Sequence, residues 1–375
     1  MIRADASQII GTGHIMRCLA LADELAAAGY AIAFVNRGLE GNMHQYIEER
    51  GHRSLLLSLP VPLALDDTPA VQEDAEHTIQ YCVSIQPDWL IVDHYALDNY
   101  WESMVRPYAG KLLVIDDLAN RKHAADILLD QNLAENPELR YQQLVPSGCR
   151  LLLGPAYLLL RPSFYEQRAA LKRRGEAIRR LLVFFGGSDP TNETAKVLEA
   201  LREGEKHRAS CDQQLQVDVV VGNANPYLEE IRRVCMDLQE VTLHIQIEYM
   251  AELIAEADFA FGAGGVAMWE RCYLGLPAAV AIVADNQADT VKLAGQLGAV
   301  MNMGWHAQIN SGHYADILNK VLAIGGNLSN MSAIALELMG SRPGQIHSRV
   351  MTVITEERLR DEGHSNFKPY DRENT

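Results

Sequence analysis

Twice along the chain, short apolar runs alternate with longer segments of helical period. The first set is "IRA", "YAIAFVN", "RSLLL", "WLIVD" and "KLLVIDD", separated by amphipathic stretches that run through Ala28, from about Gly41 to Arg50, and to about Ser84. Strands that are buried on both faces lose the polar half of the usual alternation, so such runs predict a parallel sheet covered by helices. A second set follows, "RRLLVFFGG", "QLQVDVVVG", "VTLHIQI", "ADFAFGAGG" and "LPAAVAIVA", each leading into a helix-period segment. The fold class is therefore α/β: two doubly wound, Rossmann-like domains facing a cleft, with ligands at the carboxyl ends of the strands.

Length agrees, since 375 residues with 48% hydrophobic content suit two cores better than one. The charged helical stretch within "RLLLGPAYLLLRPSFYEQRAALKRRGEA" breaks the rhythm. We expect a first domain over 1–160, a linker over 161–178, a second domain over 179–355 and a polar, frayed tail over 356–375.

A formal charge of −16 argues against nucleic acid or an anionic membrane as partner. Six cysteines without CxxC spacing indicate a reduced compartment. No signal peptide or apolar run of roughly 18 residues is present, so a cytoplasmic location is expected.

The segment "IGTGHIMR" turns from a glycine loop into a helix whose unpaired N–H groups suit an anion. A dinucleotide fingerprint would carry a third glycine where Met16 stands, and an acid where Asn36 and Arg37 close the second strand. Neither is there. By local pattern alone, His14 is either a chemical group or a capping residue. "LIVDHYALDNYW" places Asp93, His94 and Tyr95 after one strand, and "LLVIDDLANRKHAADILLDQN" places Asp116 and Asp117 after the next. With His123 these could ligate a metal, but no His-x-x-x-His pair or DxD triplet fixes a geometry, so no metal is expected and some of these carboxylates cap helices.

In the second half Gly186, Gly187 and Ser188 follow a buried strand, and Asp189-Pro190-Thr191 carries helix-start signals. Gly262, Gly264 and Gly265 follow another strand, with Glu270 about one and a half turns into the next helix. Two such helix starts on one edge suit a nucleotide diphosphate, and the carboxylate suits ribose hydroxyls.

Taken together, "RADAS", "GTGHIMRCLALADEL", "IVDHYALD", "VIDDLANR", "ADILLDQN", "LLGPAYLLLRPSF", "FFGGSDPTN" and "GAGGVAMWERCYLGLPAAVA" resemble the UDP-sugar hydrolases of pseudaminic acid biosynthesis. They are also similar to spore-coat polysaccharide proteins and, more distantly, to MurG-type glycosyltransferases of the GT-B fold. The resemblance covers most of residues 2–350. It implies an inverting hydrolase that releases UDP from a 2,4-diacetamido-2,4,6-trideoxy hexose, needs no cofactor and feeds surface glycans such as those on flagellin. It implies His14 as general base on water and Gly13, Arg17 and Tyr95 on the substrate side. Asp93 and Asp116 would orient His14 or the sugar. Gly187, Ser188, Gly264 and Gly265 would hold the diphosphate, and Glu270 the ribose. The family carries more residues ahead of "RADAS", so either the true start lies upstream or the first strand is clipped here, and nothing after residue 350 has room for an acyltransferase domain. A monomer or weak homo-oligomer is expected. The alternatives are a MurG-like glycosyltransferase, a hydrolysing 2-epimerase and a nucleotide-sugar binder without turnover.

Overall fold

The computed structural model describes residues 1–365 except 60, 65, 66, 172–176, 209–214, 325–327, 341–344 and 346. One sheet contains β1 (Ile2–Ala4), β2 (Ala33–Arg37), β3 (Arg53–Leu57), β4 (Trp89–Asp93), β5 (Lys111–Ile115), β6 (Ile127–Asp130) and β7 (Arg150–Leu153). Its order is β3-β2-β1-β4-β5-β6-β7, with every pairing parallel. The helices between these strands are α1 (Gly13–Ala27), α2 (His44–Glu49), α3 (Thr68–Ile85), α4 (Asn99–Val105) and α5 (Pro137–Tyr141). After α6 (Pro162–Ala170) comes the second sheet, β8 (Arg180–Phe184), β9 (Gln216–Val221), β10 (Val241–Ile245), β11 (Phe259–Ala263), β12 (Ala278–Ile282) and β13 (Met301–Trp305). It is also parallel, in the order β10-β9-β8-β11-β12-β13. Its helices are α7 (Glu193–Arg208), α8 (Leu228–Asp237), α9 (Met250–Glu256), α10 (Val266–Tyr273), α11 (Ala288–Gln296), α12 (Ser311–Ile324) and α13 (Leu328–Leu338), and α14 (Arg349–Ser365) follows. This is the expected α/β pair of doubly wound domains. The strand "RLLL" at 150–153, expected within the interruption, is instead the edge strand β7, because alternate leucines pair it to β6.

β1 is as short as expected, yet it lies at the centre of its sheet, paired to β2 and β4. What holds it is a buried charge network that the "RADAS" motif begins. Arg3 donates to Asp5 at 2.6 Å and to Asp74 at 2.7 Å, and Arg37 donates to Asp74 at 2.9 Å. Asp5 also accepts from the Arg37 backbone N–H at 2.8 Å, and Trp101 Nε1 donates to Asp74 at 2.9 Å. Two arginines balance two aspartates, which is the condition for burying such charges without a large desolvation cost.

The chain passes between the two lobes twice. Within 161–178, α6 buries Phe164 and Tyr165 in the second lobe's core beside Met250, Trp269 and Tyr273, so its aromatic residues make it part of that lobe. Leu159 packs into the first core while Leu158 and Leu160 pack into the second, which locates the crossing at those residues. The chain then returns. α14 joins the end of the expected second domain to the start of the expected tail and buries Val350, Met351, Val353 and Ile354 in the first lobe's core. Glu357, read as tail, pairs with Lys111 at 2.7 Å and Arg150 at 3.3 Å. Residues 366–375 of that tail lie outside the described residues.

The return is fastened by Ser348. Its Oγ accepts from the Met351 N–H at 3.1 Å and donates to Glu24 of α1 at 2.6 Å, while its N–H donates to the same carboxylate at 2.9 Å. The Tyr165 hydroxyl lies near Glu24 without hydrogen-bond geometry. Burial pushes the Glu24 carboxyl up to about 7 in spite of these donors.

Candidate active site

In a doubly wound sheet, two neighbouring loops leave in opposite directions where the strand order reverses, and a crevice opens between them. In the first sheet that point lies between β1 and β4, in the second between β8 and β11. The loop after β1 carries His14, β4 ends in Asp93, and the loops after β8 and β11 carry the two glycine clusters. Both switch points face one cleft.

His14 is buried in the first turn of α1. Its Nδ1 lies 3.0 Å from an Asp93 carboxylate oxygen and 3.1 Å from the Asp93 carbonyl, and Nε2 has no partner among the described residues. The Tyr95 ring packs edge-on against the imidazole at 4.6 Å between centroids. Asp93, fully buried, also accepts two 2.5 Å bonds from Arg17 and faces Cys18 Sγ at 3.6 Å. Burial lowers the His14 pKa, but the Asp93 carboxylate outweighs it and holds the ring above its ordinary value. Burial likewise raises Asp93, and Arg17 then His14 bring it well below the carboxylate range. An imidazole held through Nδ1 by a buried carboxylate, with Nε2 facing a cavity, can take a proton from water.

That cavity, about 170 Å³, is lined by His14, Arg17, Tyr95 and Asp117 of the first lobe and by Gly265, Trp269 and Gln287 of the second. It shares Gly13, Arg17 and Val266 with a second cavity of about 410 Å³, which Gly186, Gly187, Arg161 and Glu270 help to line. On its other side it shares Asp117, Asn132, Asn286 and Thr290 with an outer space of about 810 Å³ at the cleft mouth. Trp269 Nε1 donates to Asn132 at 3.3 Å across the cleft floor.

Of the second-lobe candidates, Glu270 lines the 410 Å³ cavity, and no described residue hydrogen-bonds its carboxylate. Burial raises its pKa, and the charges of Arg161 and Arg271 draw it back only in part. Arg271, which the sequence reading omits, donates to the Ala263 carbonyl at 2.5 Å and the Phe184 carbonyl at 3.5 Å, tying the ends of β11 and β8 together beneath the loops. Gly265 has φ 76°, and the N–H groups of residues 265–267 have no partner among the described residues. Gly264 differs from expectation. Its N–H bonds the Ala281 carbonyl at 3.3 Å, and a Cβ there would meet Val291 Cγ2 at 2.7 Å, so it is a packing glycine. Gly187 and Ser188 are exposed with free N–H groups, but α7 starts only at Glu193. Asp189 takes the Glu193 and Thr194 N–H groups at 3.0 and 2.9 Å. The open donors there belong to the loop and not, as expected, to a helix start at 189–191.

Asp116 lines the small cavity, yet its oxygens serve the first lobe. They accept from Arg121 at 2.6 Å, the Ala119 N–H at 2.9 Å and the Tyr141 hydroxyl at 3.3 Å, with His123 at 3.7 Å. The role expected for it beside the sugar thus gives way to fastening the loop after β5. His94 accepts from the Ala96 N–H at 3.0 Å and faces Asp5 at 3.2 Å. Among the described residues, no three of His, Cys, Asp and Glu come together as they would to hold a metal ion. Nor is any single described helix long and apolar enough to cross a membrane. Asp117, singled out in sequence only as one possible metal ligand, lines the small cavity beside Asp116, and its carboxylate, unlike that of Asp116, has no short hydrogen bond.

No protein-family model matches the chain. It is 28% identical over 289 residues to an uncharacterised protein of Methanocaldococcus jannaschii, a match covering 74% of this chain and only 54% of that one. The chain thus spans about half the length of that relative. It is 25% identical over 305 residues to the spore coat polysaccharide biosynthesis protein SpsG of Bacillus subtilis, covering 81% and 83% of the two chains. To the UDP-2,4-diacetamido-2,4,6-trideoxy-beta-L-altropyranose hydrolase of Campylobacter jejuni it is 26% identical over 259 residues, covering 69% and 82%. Among solved structures, Acinetobacter baumannii MurG superposes with a TM-score of 0.63 at 13% identity, covering 95% of this chain and 98% of that one. The fold is that of the GT-B glycosyltransferases.

Proposed function

We propose that the chain is a UDP-sugar hydrolase, releasing UDP and a 2,4-diacetamido-2,4,6-trideoxy hexose by inverting attack of water at the anomeric carbon, in pseudaminic acid biosynthesis. The observation that carries the reading is His14, held by Asp93 through Nδ1 with Nε2 unpartnered, lining a cavity that adjoins the one containing Glu270. UDP would lie in the 410 Å³ cavity with its ribose on Glu270 and its diphosphate on the free N–H groups of residues 187, 188 and 265–267. Fixed backbone dipoles there stabilise the charge that develops on the departing phosphate. The base stands on the first lobe and the phosphate donors on the second, so water and leaving group occupy opposite faces of the anomeric carbon, as inversion requires. Similarity to the Campylobacter enzyme supports the choice of sugar. The proposal places the protein in the cytoplasm, as a monomer or weak homo-oligomer.

A second reading, transfer to an acceptor in place of water, is favoured by the outer space of about 810 Å³, which is far larger than one water needs. One experiment separates them. Incubation with UDP-2,4-diacetamido-2,4,6-trideoxy-β-L-altropyranose and no acceptor, followed by proton NMR, should show UDP release and a product of inverted anomeric configuration. Absence of UDP release without an acceptor would overturn hydrolysis in favour of transfer.

A further inference from the structure

Asp117 stands where the small cavity opens into the cleft mouth. Its side chain is 14% exposed, and Oδ1 is buried with no hydrogen-bond partner among the described residues. Oδ2 has only two long contacts, from the Tyr95 hydroxyl at 3.4 Å and from Arg17 at 3.4 Å. Arg17 gives its two 2.5 Å bonds to Asp93, so only a long contact is left for Asp117. An ionised carboxylate only accepts hydrogen bonds, and a buried oxygen without a donor is costly unless a ligand supplies one.

The order of the cavities fixes which part of a ligand could supply it. The nucleotide cavity and the small cavity meet at Gly13, Arg17 and Val266, whereas Asp117 lines the small cavity and the mouth but no part of the nucleotide cavity. A sugar bound with its anomeric carbon toward the nucleotide turns its far carbons, C3 and C4, to Asp117. Resting on the UDP-sugar reading of this cleft, we infer that Asp117 is a specificity-determining residue, accepting a hydrogen bond from an N–H or O–H donor on the ring edge remote from the anomeric carbon. Tyr95 steers the carboxylate through its hydroxyl.

The test compares three compounds: the UDP-diacetamido sugar named above, an analogue lacking the O–H at C3 and an analogue lacking the N–H at C4. In the wild type one analogue should lose roughly tenfold to a hundredfold in kcat/KM, the scale of a hydrogen bond to a charged group. Asp117→Ala and Asp117→Leu, which carry no side-chain acceptor, should flatten that difference, mainly by losing activity on the parent compound, while UDP alone binds as tightly as before by calorimetry. Wild-type discrimination retained in both variants would overturn the inference. So would equal losses on all three compounds, or lost UDP binding, since Asp117 lines no part of the nucleotide cavity. If the wild type releases no UDP from any of them, the hydrolase reading falls but Asp117 is still decided by binding: unequal Kd values across the three support its role, and equal values end it.

Discussion

Replacing Asp93 with asparagine separates orientation of His14 from its chemistry. The carboxylate is fully buried and serves three partners, with Arg17 at 2.5 Å, His14 at 3.0 Å and Cys18 at 3.6 Å. Asparagine keeps the shape but removes the charge, leaving the Arg17 guanidinium, only 10% exposed, with Asp117 at 3.4 Å as its remaining anion. Breaking a buried pair from one side costs about 3–5 kcal/mol, and the nearby Asp117 should hold the loss to about 2–4 kcal/mol. Calorimetry should then show Tm lower by roughly 5–15 °C. Activity carries the sharper signature. Burial alone lowers the His14 pKa and Asp93 raises it past its ordinary 6.5, so the wild-type acid limb of kcat/KM should fall above 6.5. In the variant burial and the Arg17 charge are opposed only by the backbone carbonyl of residue 93, so the limb should move down, with plateau turnover lower by roughly a hundredfold to ten-thousandfold as the ring loses its carboxylate partner. UDP release measured from pH 5 to 9, with an NMR titration of the His14 ring, reads both. An acid limb unmoved by Asp93→Asn, in a folded protein, would refute the claim that this pair sets the base.

Three further outcomes follow from other contacts. His14→Asn should cut turnover by roughly two to four powers of ten while leaving UDP affinity unchanged, because His14 lines no part of the nucleotide cavity; steady-state kinetics with calorimetry of UDP decides it. Glu270→Ala should raise KM more than it lowers kcat, since ribose contacts bind substrate and transition state alike, and a pure kcat effect would show the nucleotide to lie elsewhere. Glu24→Gln should flatten the pH dependence of stability: a carboxyl raised from 4.5 to about 7 contributes stability that is complete below pH 4.5 and lost as pH rises through 7. At roughly 1.4 kcal/mol per pH unit that is about 3 kcal/mol, so the variant should match or exceed the wild type in urea denaturation at pH 8 and lose its advantage near pH 4.5.

The two sheets were legible because both are parallel and buried, which writes their strands as plain apolar runs. The crossings were harder to see, since Phe164 and Tyr165 sit in a stretch whose charges suggest a linker and α14 begins among residues that suit either lobe. At the site, His14, Glu270 and the glycine loops could be found because chain order places them at strand ends. Asp116 and Asp117 could not be told apart by type: both line the small cavity, and only the donors that the fold brings to Asp116, from Arg121, Ala119 and Tyr141, commit its carboxylate to the first lobe. Arg3, Arg37 and Arg271 gave no signal either. Buried arginines look like surface residues in sequence, and it takes the carboxylates or carbonyls brought to them by remote segments to explain them.

The proposed reaction is divided between the lobes: His14, oriented by Asp93, and Tyr95 would face the reacting carbon from the first lobe, while Glu270 and the donors of residues 187, 188 and 265–267 belong to the second. Asn132 and Trp269 touch across the floor at 3.3 Å, with the nucleotide cavity on one side of the small cavity and the mouth on the other. On that reading the ribose and diphosphate contacts come chiefly from the second lobe, although Gly13, Met16, Arg17 and Ala20 of α1 also line the nucleotide cavity, and the water's attack would depend on how the first lobe is seated over the second. Changes at Ser348 or Glu24, which fasten the return helix to α1, should therefore alter turnover more than UDP binding, because α1 carries His14 but supplies only part of the nucleotide cavity's lining.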